Sequence, residues 1–227
     1  MAELQIASLE NIQTSGRSAV TPIRTGEGMI TPTWQTRDGA RVTMDWRQAL
    51  VMEGRVFAFN MGNVTTAATG KAADVDQPQL AIRNASGSNV AMIPLEGHIY
   101  CEDAASTAAE LIVACASIDI GAGTSTAGTA QNMRSGTGGS VVNINYTYSG
   151  NGTAAVYGTN YWELQRTGCL YDIAEDTMLE PELHYMPLVS PILMPGSTFY
   201  MFAGSAGTPT FYLSVVWAEV PVSTVTA

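Results

Sequence analysis

What this sequence has little of limits it before any motif is sought. Only 13% of its 227 residues are charged, against roughly 25% in an ordinary soluble domain, so something other than ionised side chains must cover the surface. Basic residues are the scarcer sign, 10 against 20 acidic, for a formal net charge of -10. A chain so short of cations has no source for the phosphate neutralisation that drives nucleic-acid binding, and DNA and RNA are not expected partners. No run approaches the ~20 apolar residues that span a bilayer. The amino terminus, Met1 to Ser8, lacks the basic residues and apolar stretch of a secretion signal. The expectation is a chain made in the cytoplasm with no membrane partner. Cysteine occurs three times, as Cys101, Cys115 and Cys169; an odd number inside apolar runs fits buried thiols better than a disulfide framework. Segments of convincing length with a helical apolar period are missing too.

What is present is strand chemistry. Thr, Ser, Asn, Gly and Ala stand in for charge, and period-two alternation flanked by turn residues recurs from about Val56 to the carboxyl end. Val142, Ile144, Tyr146 and Tyr148 alternate with Asn143, Asn145 and Thr147, which gives a pleat one apolar face. The run Ser149 to Thr153 supplies turn residues and a strand through Val156, Tyr157 and Trp162 follows, which reads as a hairpin. Gln79 to Asn84, the turn Ala85 to Asn89 and the run from Val90 toward Tyr100 read as a second hairpin. Pro94, with no N–H to donate, belongs there at an edge or a bulge. Leu111 to Ile118 is apolar on both faces, as expected of a strand covered from two sides. Ser197 to Phe202 and Thr210 to Val220 make a closing pair of aromatic strands.

Two regions break this rhythm. Residues 121–140 have no apolar period and are expected to form an exposed Gly/Thr/Ser loop. Residues 1–40 are polar, carry Pro22 and Pro32, and hold too few large apolar side chains for a core of their own, so they read as an extended N-terminal arm. Asp45 to Glu53 fits a short helix or a strand equally well. The expected fold is all-β, an antiparallel β-sandwich of the jelly-roll kind over residues 41–227 behind that arm.

Chemical motifs are sparse. A zinc site would most economically join His98 to Cys101, yet no CxxC and no second ligand pair accompanies them. A Cys/His nucleophilic pair has no local signature. No Gly-x-Ser-x-Gly elbow, Walker loop or dinucleotide fingerprint occurs where a strand passes into a helix. The acidic cluster Asp172, Glu175, Asp176, Glu180 and Glu182 lacks the ligand spacing and turn glycine of a calcium loop, and reads as a solvated connection before Pro187. No catalytic residue, cofactor or metal site is expected, and the chain is not expected to be an enzyme. The residues singled out for contact are Tyr146, Tyr148, Tyr157 and Trp162, which with Tyr161 lie close in sequence. They read either as core and subunit-interface packing or as a platform on which sugars stack.

The strand-turn unit Leu80 to Ser88, the ending Leu193 to Phe199 and the later Val216 to Pro221 resemble the jelly-roll structural proteins of viruses, in particular the small virion proteins of tailed phages. The resemblance spans roughly Gln79 to Pro221 and transfers no functional residue. It implies a double-sheet roll whose edges are covered by neighbours, an arm that reaches across a subunit boundary, and assembly about a symmetry axis, a trimer first. The implied role is a shell, head-decoration or knob/fibre protein of a phage particle that contacts copies of itself and other virion proteins. The alternative carried by the aromatic group is a carbohydrate- or receptor-binding module facing host surface glycans. A jelly-roll enzyme of the cupin type would need more than two histidines.

Overall fold

The structure is a computed structural model that describes residues 45–63, 65–70, 77–103, 109–136, 139–150, 159–169, 182–204 and 210–225. The chain divides into two compact units, one ending at Arg55 and one running from Val56 to Ala227. In the first, the stretch that fitted helix or strand is a helix, α1 (Trp46–Met52), opened by Asp45, whose carboxylate accepts from the Arg47 N–H at 2.8 Å. Residues 1–40, expected to be an arm, lie outside the described residues. The first described strand begins at Val56. Among the described residues no helix is long and apolar enough to cross a membrane.

The second unit is an antiparallel sandwich. Its described strands are β1 (Val56–Met61), β2 (Ala68–Thr69), β3 (Leu80–Asn84), β4 (Val90–Asp103), β5 (Ala109–Ala116), β6 (Thr124–Gly128), β7 (Gln131–Asn132), β8 (Asn143–Gly150), β9 (Tyr161–Cys169), β10 (Glu182–Tyr185), β11 (Ser197–Gly204) and β12 (Thr210–Pro221). One sheet has the order β10-β4-β12-β1-β7, with β2 also on β12, and the other the order β6-β8-β3-β11-β5-β9. The pairings nest: β1 lies against β12, β3 against β11, β4 against β10 and β5 against β9. The contacts β12 to β4 and β11 to β5 then close each sheet. A long hairpin rolled on itself so that first strand meets last is the jelly-roll topology. Strands β6 to β8 are an insertion at its innermost connection, between β5 and β9.

Three sequence readings of strand pairing are corrected by this roll. The pairs β3/β4 and β8/β9, read as hairpins, are not hydrogen-bonded to each other, and neither is the closing pair β11/β12. β3 and β11 belong to one sheet while β4 and β12 belong to the other; β8 and β9 share a sheet with three strands between them. The stretch 121–140 is also not a loop throughout. It contains β6, which adds to β8, and β7, which adds to β1 at Phe57 and Ala58. Backbone ladders hold it while its side chains stay mostly exposed, which is why no apolar period betrays it.

Between the sheets, strict alternation does the packing. On β12, Phe211, Leu213, Val215 and Trp217 are buried in the interior while Tyr212, Ser214 and Val216 point away. They meet Leu80, Ile82, Leu111, Val113, Phe199 and Met201 of the other sheet. Each such fully buried side chain contributes about 1.5–3 kcal/mol. Pro94 sits at a bulge, as its missing N–H requires: β4 holds one extra residue, Leu95, between the partners Glu96–Val216 and Pro94–Trp217. Cys101 and Cys115 are both buried in this interior and are not joined to each other.

The outside of the β8-β3-β11-β5-β9 sheet is buried as well. Ala81, Ile112, Ala114, Ala116, Tyr200 and Phe202 form a second apolar cluster with Ile120, Tyr148 and Tyr161. All eight residues of β11 are buried, and the two-sided covering expected of Leu111 to Ile118 holds for β5. After β5 the chain crosses this outer face through Ile118 to Gly121. There Thr198 donates through its hydroxyl to the Ile118 carbonyl at 2.8 Å and accepts from the Ile120 N–H. Arg83 grips Asp119 through two bonds, at 2.7 and 3.1 Å, and Asn145 through a third. Burial opposes ionisation of Asp119, but the Arg83 hydrogen bonds, the Gly121 N–H and the Arg83 charge outweigh it and hold the carboxyl below its usual range. The insertion is tied down again by Glu219, which is buried and accepts from Trp217 Nε1, Ser140 Oγ and the Val141 N–H.

Candidate interaction surfaces

The aromatic residues singled out from the sequence do not form one platform. Val142, Ile144 and Tyr146 face the interior as their alternation demands, and the Tyr146 ring lies 5.5 Å from that of Phe59. Tyr148 does not follow. Thr147 adopts a left-handed backbone, φ 52°, at a bulge where β8 spends more residues than its partner β6. The flip sends Tyr148 to the outer cluster, where its hydroxyl donates to the Gly121 carbonyl and burial pushes its pKa up to about 12. Trp162, 39% exposed, opens β9 at the far edge of the same sheet. The strands β3, β11 and β5 lie between β8 and β9, so four spacings of ~4.8 Å put Trp162 roughly 19 Å from the β8 tyrosines. Tyr161 is buried in the outer cluster against Tyr200. Tyr157 lies outside the described residues.

The two histidines of the chain do come together. His98 on β4 and His184 on β10 are direct register partners on the outside of the first sheet, with ring centroids 5.6 Å apart. Each is bonded diagonally to a carboxylate: His98 Nε2 lies 2.6 Å from Glu182 and His184 Nε2 lies 3.0 Å from Glu96. Further along the same face the Tyr212 hydroxyl donates to Glu102. The zinc pairing considered from the sequence is not assembled, because Cys101, three residues beyond His98, falls on the opposite side of the pleat in the interior. Burial also pushes the Cys115 thiol well up, and it sits in that interior away from both imidazoles. Among the described residues no group of three or more His, Cys, Asp or Glu side chains converges on one point. Of the acidic cluster only Glu182 is described; Asp172, Glu175, Asp176 and Glu180 lie outside the described residues.

The most exposed apolar surface follows β10. In the segment Met186-Pro-Leu-Val-Ser-Pro-Ile192, Leu188 is 101% and Val189 84% exposed, with Met186 and Ile192 about half exposed. Two prolines keep the segment out of the sheet and fix its backbone. Two concavities lie on the opposite side of the sandwich. One, of about 440 Å³, opens beside the end of β1 and is lined by Phe59, Met61, Ala68 and Tyr146 with Asn and Thr neighbours. The other, of about 380 Å³, lies under the insertion and is polar, with Arg83, Ser140, Asn143 and Asn145 in its wall. Strand periodicity does not reveal the 186–192 segment; its signal is an apolar stretch punctuated by prolines, which no strand interior can accommodate.

Comparison with protein-family models, with characterised proteins and with solved structures finds no match.

Proposed function

We propose that this chain is a structural subunit of a larger particle, working through contacts with copies of itself and with other structural proteins, in a virus shell, as a head decoration, or in a knob or fibre. The observation that carries the reading is the Met186–Ile192 segment. Leu188 and Val189 stand almost wholly in solvent on a backbone held by two prolines. Isolated exposed leucines are ordinary, but a contiguous rigid apolar patch on a protein so poor in charge is a contact surface awaiting its partner. The jelly-roll topology fits this role without demanding it, since the same topology serves lectins and enzymes. The glycan-binding alternative has less support, because Tyr146 faces the interior, Tyr148 faces the outer cluster and Trp162 lies on a distant strand.

The test is the mass of the native protein by light scattering across a hundredfold range of concentration. The expected result is a discrete assembly in the wild type, reduced to single chains by Leu188→Glu or Val189→Glu with an unchanged circular dichroism spectrum. A wild type that stays a single chain throughout, alone and with the structural proteins of its particle, ends the proposal.

A further inference from the structure

The exposed segment and the cleft beside β1 lie at opposite edges of the sandwich. Met186–Ile192 leaves β10, which is one edge of its sheet; the cleft is walled by the far end of β1, by β2 and by β8, across β4 and β12. The two patches share an electrostatic property. Among the described residues neither the segment nor the cleft wall contains an Asp, Glu, Lys or Arg, in a chain whose net charge is -10. Two copies of so acidic a chain repel each other over most of their surfaces, and that repulsion is least where both contacting patches are uncharged. The cleft is also available for addition. β7 covers β1 only at Phe57 and Ala58, so among the described residues Phe59 to Met61 are laddered to β12 alone.

We infer that the Met186–Ile192 segment of one copy seats in the β1–β2–β8 cleft of the next, with Leu188 and Val189 as the anchoring side chains. This rests on the reading of the chain as an assembly subunit and makes it specific. The cleft, at about 440 Å³, has room for branched aliphatic side chains against the partly exposed Ala68 and Tyr146, with Phe59 and Met61 buried behind them. The prolines at 187 and 191 fix their own φ and restrict Met186 and Ser190, which lowers the conformational entropy lost on seating. The contact joins two different patches and is therefore heterologous. Such a contact closes into a ring of three or more copies or runs on as a filament, and does not give a two-fold dimer.

A complementation experiment tests this directly. Leu188→Glu spoils the segment and leaves the cleft whole. Thr66→Glu places a charge at the exposed cleft wall and leaves the segment whole, with Thr69→Glu as a second cleft variant in case the first disturbs the local turn. Each variant alone is expected to run as a single chain with a wild-type spectrum and melting temperature. Mixed one to one, the segment variant and a cleft variant retain one intact contact per pair, so the mixture is expected to shift to twice the chain mass and stop there. If both single variants dissociate but the mixture stays at single-chain mass, the two patches do not meet each other and this inference falls, while the subunit reading stands. If both cleft variants assemble like the wild type while Leu188→Glu does not, the segment seats elsewhere and the inference falls in the same way. If the wild type itself never assembles, the broader reading falls with it.

Discussion

The outsides of the two sheets are opposites. On the β10-β4-β12-β1 sheet the outward residues Glu96, His98, Tyr100, Glu182, His184, Tyr212 and Ser214 are none of them buried, while Val56 and Ala218, further along that face, are. On the β8-β3-β11-β5-β9 sheet the outward residues Ala81, Ile112, Ala114, Tyr200 and Phe202 are all at most 3% exposed, and the charged outward residues Arg83 and Glu110 flank them. The first face is wet and ionic around its histidines, the second dry and aromatic at its centre. An antiparallel sheet ordinarily has one solvated face; here the second sheet packs apolar clusters on both of its faces. The sheet buried twice is also the one that carries the inserted crossing, where Thr198, Arg83 and Asp119 hold Ile118 to Gly121 against it.

The largest expected effect follows from that asymmetry. Phe202→Ala on the dry outer face should destabilise by about 3–5 kcal/mol, the cost of an aromatic deletion at a buried site. Val216→Ala, outward on the wet face, should cost about 1 kcal/mol or less. Urea unfolding midpoints on the two variants make the measurement, and equal costs would abolish the distinction between the faces. Next in size is Asp119→Asn, which removes the charge from the pair with Arg83. A loss on the order of 1–2 kcal/mol is expected at pH 7. The sign with pH is fixed by the direction of the shift: Asp119 is held below its unfolded value, so its stabilisation is complete above the ordinary carboxylate range and disappears as pH falls through the lowered one. The difference between wild type and Asp119→Asn should therefore shrink on acidification below about pH 4. A difference that persists at pH 2 would mean the side chain acts by shape and not by charge.

These contrasts explain which parts of the fold could be read in advance. Strand positions were legible because period two reports burial directly: β12 alternates from Thr210 to Trp217, and the doubly apolar run in β5 announced a strand covered on both sides. Partner order was not. A five-residue turn such as Ala85 to Asn89 reaches at most ~17 Å, enough to close a hairpin at ~4.8 Å or to cross to the other sheet at ~10 Å. The same Gly and Asn residues, with Gly87 at φ 88° and Asn89 at φ 58°, serve either path. Tyr148 was misplaced for a different reason. Its sequence alternation is perfect, and the reversal lies in the backbone of Thr147, whose side chain gives no sign of it. The pairing of His98 with His184 depends on β4 and β10 being neighbours, which the nested topology decides and no local pattern encodes.

The smallest effect belongs to that histidine face, and it is where the comparison is most exposed to failure. His98 and Glu182 are 36% and 57% exposed, so solvent screens their attraction. A double-mutant cycle with His98→Ala and Glu182→Ala should give a coupling below about 1 kcal/mol, falling further with added salt. The cycle is best run twice, in the wild type and in a Leu188→Glu background, which under the proposed contact is expected to run as single chains. Met186 follows His184 by two residues, so a neighbour seated on the 186–192 segment passes close to these pairs. If the segment's contact stops short of them, both backgrounds give the same small coupling. A coupling that rises severalfold only in the assembled protein would mean a neighbouring copy strips water from the Glu96, His98, Glu182 and His184 group. The wet face would then be wet only in the isolated chain, and the contrast between the two sheets would describe a subunit before assembly and not the subunit at work.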